Sequence, residues 1–69
     1  MKRGSVVWFN EPKGFGFIRD DETSDEIYVE FHAIEREGFR TLSRGERVTY
    51  TLADSTGGPK AARVVPEQA

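Results

Sequence analysis

Lys13-Gly14-Phe15-Gly16-Phe17-Ile18-Arg19 is the stretch on which the fold of this chain turns. Laid out as a strand, it sends successive side chains to opposite faces. Lys13, Phe15, Phe17 and Arg19 share one face, and Gly14, Gly16 and Ile18 share the other. A face with two charges is a poor dry core, because burying an unpaired charge is costly. The two phenylalanines are therefore expected on the wet side, beside positive charge. Rings that can stack on bases, next to cations that can meet phosphates, suit a single-stranded nucleic acid.

Outward from this stretch lie other short strand-like runs separated by turns. Residues 5–10 form the first, with Val6-Val7-Trp8-Phe9 apolar on both faces. A bulge near Trp8 would turn Val6 inward and Trp8 outward. Asn10-Glu11-Pro12-Lys13-Gly14 makes a tight turn, with Pro12 presetting its own φ. Residues 20–26 form an acidic, solvated turn, and 27–31 a third strand. In that strand Ile27, Val29 and Phe31 alternate with Tyr28 and Glu30. Residues 32–44 are a long connection with room for a short helical turn at 33–36, broken by Gly38. The fourth strand, 47–53, is expected to turn Val48, Tyr50 and Leu52 inward. A loop at 54–59 leads to the fifth strand, 60–65, with Ala62 and Val64 inward. Five short strands with a long connection after the third fit an all-β, five-stranded antiparallel barrel of OB type. Such barrels bind oligonucleotides on the face formed by strands two and three.

Composition narrows the function. The chain has 69 residues, enough for one domain (1–69, core about 4–65) with a thin core. Without cysteine it has neither disulfides nor a thiolate metal site. No apolar run is long enough to span a membrane, and Met1-Lys2-Arg3 precedes no signal-like segment, so a cytoplasmic location is expected. Net charge is −2, so bulk attraction will not supply nucleic-acid affinity, and a local patch plus stacking must.

With these residues in place, the chain resembles the bacterial cold shock proteins, each a single cold-shock domain, over residues 4–65. Trp8-Phe9-Asn10 matches the family's W-F-N, and Lys13-Gly14-Phe15-Gly16-Phe17-Ile18 its K-G-F-G-F-I motif. Ile27-Tyr28-Val29-Glu30-Phe31 is similar to V-F-V-H-F. Glu37-Gly38-Phe39-Arg40-Thr41-Leu42 and Gly58-Pro59-Lys60-Ala61-Ala62 are similar to G-F-K-T-L and G-P-x-A. K-G-F-G-F also occurs in the RNA-recognition motif domain. That signature ends in an aromatic where this chain has Asp20, and the helices of that domain are missing from the pattern.

The resemblance implies binding of single-stranded RNA and DNA, and a role as an RNA chaperone that keeps transcripts unpaired in a stress response. It implies a nucleic-acid-binding surface of Trp8, Lys13, Phe15, Phe17, Tyr28, Phe31 and Phe39, with Lys60 at its margin. Alternation sets Phe31 opposite Tyr28, so a strand end or bulge is needed there. Glu30 replaces a stacking histidine, and Ser5 and Val7 stand where lysines are often found. All three changes point to weaker binding or a different base preference. Glu30 is a possible base contact, as an acceptor for a base amino group such as that of cytosine. His32 is another, as a ring that could stack in place of the lost one.

Other chemistry finds little support in the sequence. A lone histidine is a poor metal site, and residues 20–26 lack the spacing and central glycine of a calcium loop. Gly57-Gly58-Pro59 lacks the Lys-Ser/Thr of a phosphate cradle. Neither a cofactor nor catalysis is expected, and the chain is expected to be a monomer. The rival reading is a β-barrel protein–protein interaction module with weak or no nucleic-acid binding, its aromatic face gripping a protein.

Overall fold

The computed structural model describes residues 1–38, 40–53 and 57–67. Five strands close into one barrel: β1 (Lys2–Asn10), β2 (Phe15–Asp20), β3 (Glu26–Glu30), β4 (Arg47–Ala53) and β5 (Lys60–Pro66). Around the barrel the order is β1-β2-β3-β5-β4, with β4 returning to β1. The β1–β2, β2–β3, β1–β4 and β4–β5 pairs are antiparallel. The β3–β5 seam is parallel and held by a single rung, Tyr28 opposite Lys60. The Tyr28 N–H donates to the carbonyl of Pro59 (3.1 Å) beside that rung. Further along, Ile34 bridges to Val64, and the Glu35 N–H donates to the Val64 carbonyl (2.8 Å).

The core follows from strand alternation plus two irregularities. Val6, Ile18, Ile27, Val29, Val48, Tyr50 and Val64 point inward, joined by Ala33, Ile34, Leu42 and Ala61. The β1–β2 register slips between Val6 and Trp8, so Val7 is the extra residue of a bulge. Val6 is buried and Trp8 is 36 % exposed, as an inward-to-outward switch at this point requires. Phe9 then returns to the inside and packs against the core. Gly16 lies where this strand pair comes closest: a Cβ there would sit 2.3 Å from the Trp8 carbonyl oxygen.

Four expectations are corrected. Leu52 is not part of the buried core; it is 46 % exposed. On β5 it is Ala61, not Ala62, that is buried. Leu52 keeps the parity of Val48 and Tyr50 but lies one residue from the end of β4, whereas the change on β5 comes from the register, which shifts so that Thr51 faces Arg63 and Leu52 faces Ala61. Ala62 is therefore an extra residue, and alternation resets on β5, where Ala61 and Val64 are both buried. The short helical turn is a 3-10 turn at Phe31–Ala33, two residues earlier than expected. Asp20 ends β2 as a buried residue, 3 % exposed, and is not part of the solvated turn.

Asp20 is buried because it is fully partnered. The Tyr50 hydroxyl donates to its Oδ2. The N–H groups of Glu22 (2.8 Å) and Thr23 (3.0 Å) donate to its Oδ1, and Lys2 Nζ lies 3.8 Å away. The Tyr50 hydroxyl above all, then these backbone donors, hold the carboxyl down to about 2 against the opposing effect of burial.

Candidate nucleic-acid interface

The outward faces of β1, β2 and β3 carry a continuous aromatic surface, and the register explains its order. Trp8 stands opposite Phe17, Phe17 opposite Tyr28, and Tyr28 opposite Lys60. One rung across four strands thus reads Trp, Phe, Tyr, Lys. The next rung places Phe15 between Asn10 and Glu30. Trp8 meets Phe15 and Phe17 edge-on, with centroids 5.6 and 5.8 Å apart. Phe15 stacks with Tyr28 at 6.0 Å and 30°, and Phe17 meets Tyr28 edge-on at 5.8 Å. Phe15, Phe17 and Tyr28 are half-buried.

Phe31 reaches the same end of the barrel by a different route. β3 ends at Glu30 and the chain turns into the 3-10 segment, which releases Phe31 from strand alternation. Phe31 is 49 % exposed, and its ring contacts His32 edge-on at 5.5 Å. Gly14 seats it: the Phe31 N–H donates to the Gly14 carbonyl (2.8 Å), and a Cβ on Gly14 would come within 2.9 Å of the ring. Gly14 also has φ +76°, which a side chain disfavours. The turn before it is pinned by Asn10, whose Oδ1 accepts from the Lys13 N–H (3.2 Å) and whose carbonyl accepts from the Gly14 N–H (2.7 Å).

The charges around this surface are more neutralised than the sequence suggested. Lys2, Arg3, Arg19, Arg36, Arg47, Lys60 and Arg63 all pair with carboxylates. Lys13, Arg40 and Arg44 pair with no carboxylate among the described residues. Lys13 and Arg40 line one open hollow with Glu11, Pro12, Gly14, Phe31 and Gly38. Arg40 was missed as a site residue, since nothing in its local sequence signals that the loop returns to the β1–β2 turn.

Glu30 is bound on three sides. Its Oε1 lies 3.0 Å from both Lys60 Nζ and His32 Nε2, and its Oε2 accepts from the Tyr28 hydroxyl at 3.2 Å. The Lys60 ammonium, foremost, holds its carboxyl below the usual range. Burial, then the bond to Glu30, pushes the Tyr28 hydroxyl up. Lys60 Nζ also sits 6.0 Å from the Tyr28 ring centroid.

The structure thus gathers Trp8, Phe15, Phe17, Tyr28, Glu30 and Lys60 on one face, with Lys13, Phe31 and His32 at one end. Phe39 lies outside the described residues. Among the described residues there is no acidic, histidine or cysteine cluster able to hold a metal ion. No helix there is long and apolar enough to cross a membrane.

Comparison with known proteins agrees with this geometry. The family model described as "'Cold-shock' DNA-binding domain" matches residues 2–67. The chain is 48 % identical over 67 residues to "Cold shock protein 1" of Lactiplantibacillus plantarum, covering 97 % of this chain and 100 % of that protein. It is 51 % identical over 61 residues to "Cold shock-like protein CspA" of Vibrio cholerae, covering 88 % and 87 %. It is 46 % identical over 63 residues to "Cold shock-like protein CspE" of Escherichia coli, covering 91 % of each. A closed five-stranded barrel, an aromatic outer face on its first three strands and a match over nearly the whole length place this chain in the cold-shock domain family of nucleic-acid-binding proteins.

Proposed function

We propose that this protein binds single-stranded RNA and DNA by stacking bases on the Trp8–Phe17–Tyr28 rung and its neighbour Phe15, and that it acts as an RNA chaperone. The supporting observation is the rung itself: three rings in register on adjacent strands, ending on Lys60. Each base stacked on such a ring contributes about 1–3 kcal/mol. Several together compete with the pairing of a weak hairpin and hold the strand open. The work is done by binding equilibrium, with no catalytic step and no nucleotide hydrolysis. Lys13 and Arg40 would meet phosphates near Phe31. The protein would act in the cytoplasm as a monomer, where its transcripts are.

One observation favours the rival reading of a protein-binding barrel: most cations are already tied to carboxylates. Titration with short unstructured DNA and RNA, followed by Trp8 fluorescence at low and moderate salt, separates the two. Quenching that weakens with salt supports nucleic-acid binding; no quenching at low salt by either polymer overturns it. For the chaperone role, a fluorophore-labelled RNA hairpin should open as protein is added. A hairpin that stays closed while single strands bind would remove that role alone.

A further inference from the structure

Glu30 stands beside the stacked Phe15–Tyr28 pair, where a carboxylate would ordinarily repel a polyanion. Here it is a fixed acceptor with a fixed donor at its side. Lys60 Nζ lies 3.0 Å from Oε1, and the Tyr28 hydroxyl anchors Oε2 at 3.2 Å. The side chain keeps 31 % of its surface exposed, so part of the carboxylate is open to a ligand. A base lying on Phe15 or Tyr28 would bring an edge to this anion–cation pair.

Accounting for the lone pairs selects the base. A carboxylate offers about four acceptor positions. Lys60 and Tyr28 take one each. His32, with a side chain 60 % exposed, is the contact that can swing away. Two adjacent acceptor positions then remain, one on each oxygen, next to an ammonium with spare donors. Guanine alone among the bases presents two neighbouring donors, N1–H and the N2 amine, followed by an acceptor, O6. Adenine and cytosine offer one amine beside a ring acceptor. Uracil and thymine offer one N–H flanked by two carbonyl oxygens, which a carboxylate repels.

We propose that Glu30 and Lys60 form a guanine-selecting subsite at the edge of the Phe15–Tyr28 platform, ranking guanine first and uracil or thymine last. The inference rests on the nucleic-acid reading of this face and adds to it a base preference. Glu30 takes the two guanine N–H donors, and Lys60 donates to O6. Glu30 stays ionised throughout the neutral range, because Lys60 holds its carboxyl low.

The test uses short thymine oligonucleotides in which one central base is guanine, inosine, cytosine, adenine or thymine, with Trp8 fluorescence as readout. The guanine strand should bind about tenfold more tightly than all-thymine, the scale of one bidentate contact at a partly exposed site. Inosine, which lacks the N2 amine, should fall between. In Glu30→Gln, which keeps one acceptor oxygen, the guanine advantage should shrink to about twofold while the all-thymine strand still binds. An all-thymine strand that binds the wild type as well as the guanine strand overturns the subsite and leaves the stacking face standing. So does an undiminished guanine advantage in Glu30→Gln. If none of the strands binds the wild type, the stacking face and the subsite fall together.

Discussion

The Tyr50 hydroxyl donates to the Asp20 carboxylate inside the barrel wall, joining β4 to the end of β2. Both residues are closed to solvent, with Tyr50 at 0 % and Asp20 at 3 % exposure. The folded carboxyl is held at about 2, below its ordinary 3.8. A group depressed in this way stabilises the fold above its ordinary range. That contribution drains as pH falls towards about 2. Tyr50→Phe removes the main cause of the depression. The folded Asp20 then takes its proton at higher pH, and acid unfolding moves up in pH. At neutral pH the melting temperature should fall by roughly 5–10 °C, since a buried charged acceptor loses its donor. Circular dichroism melts taken from neutral to acid pH check both shifts; coincident curves for the two proteins would contradict them.

Phe15 and Phe17 should matter to binding more than to folding. Alanine at either position should weaken binding to a thymine-rich strand by about tenfold. The barrel should lose only a few degrees of melting temperature, since both rings lie outside the core. Ile18, next to Phe17 in sequence and fully buried, gives the contrast. Ile18→Ala should cost about 2–5 kcal/mol, a large share of the stability of so small a domain. Paired titrations and thermal melts of the three variants read this directly. A melting temperature that collapses for Phe15→Ala or Phe17→Ala would place that ring in the core.

Glu30→His should increase affinity for thymine-rich strands by roughly three- to tenfold, through an added ring and a released Lys60 ammonium. The same change frees one cation to meet phosphate, so the salt dependence should steepen by about 0.7 in the logarithmic slope. Affinity measured over a salt series gives both quantities. Equal slopes would mean that Lys60 remains tied elsewhere.

The pairing of cations makes the wild-type salt dependence shallow. With Lys13, Arg40 and Arg44 outside ion pairs among the described residues, a strand would displace about two to three counterions' worth of charge. The expected slope for single strands is then about −1.4 to −2. Lys13→Gln should reduce its magnitude by about 0.7 and weaken binding evenly across base compositions. A slope far steeper than this would show that bound nucleic acid breaks the carboxylate pairs.

The parity of β2 was legible because Lys13 and Arg19 share a face with Phe15 and Phe17. Val6 to Phe9 is apolar on both faces, so there alternation alone was ambiguous, and the bulge near Trp8 and its outward turn leaned on the family resemblance. The β4–β5 register was not legible. Ala61, Ala62 and Arg63 give no local reason for an extra residue at Ala62, which turns Ala61 inward in place of Ala62. Asp20 was misjudged for a related reason. It opens an acidic run, and the partner that buries it is thirty residues away. A signal was present in Tyr50, whose inward hydroxyl needs a partner. The candidate site was legible in its rings and not in its charges. Pairs such as Arg3 with Glu67 (3.0 Å) and Arg63 with Glu35 (2.5 Å) are set by the closed barrel and not by spacing along the chain.

The β3–β5 seam, closed by the lone rung of Tyr28 and Lys60, gives the molecule a weak hoop directly beneath its stacking face. Barrels breathe first where their ladder is shortest. A strand lying over Tyr28 and reaching Lys60 would lace that hoop shut from outside. Amide hydrogens near Pro59 and Lys60 would then exchange more slowly in the complex than in the free protein. A strand gripped in this way would tighten the clasp that holds it, and the barrel would be strongest when its outer face is occupied.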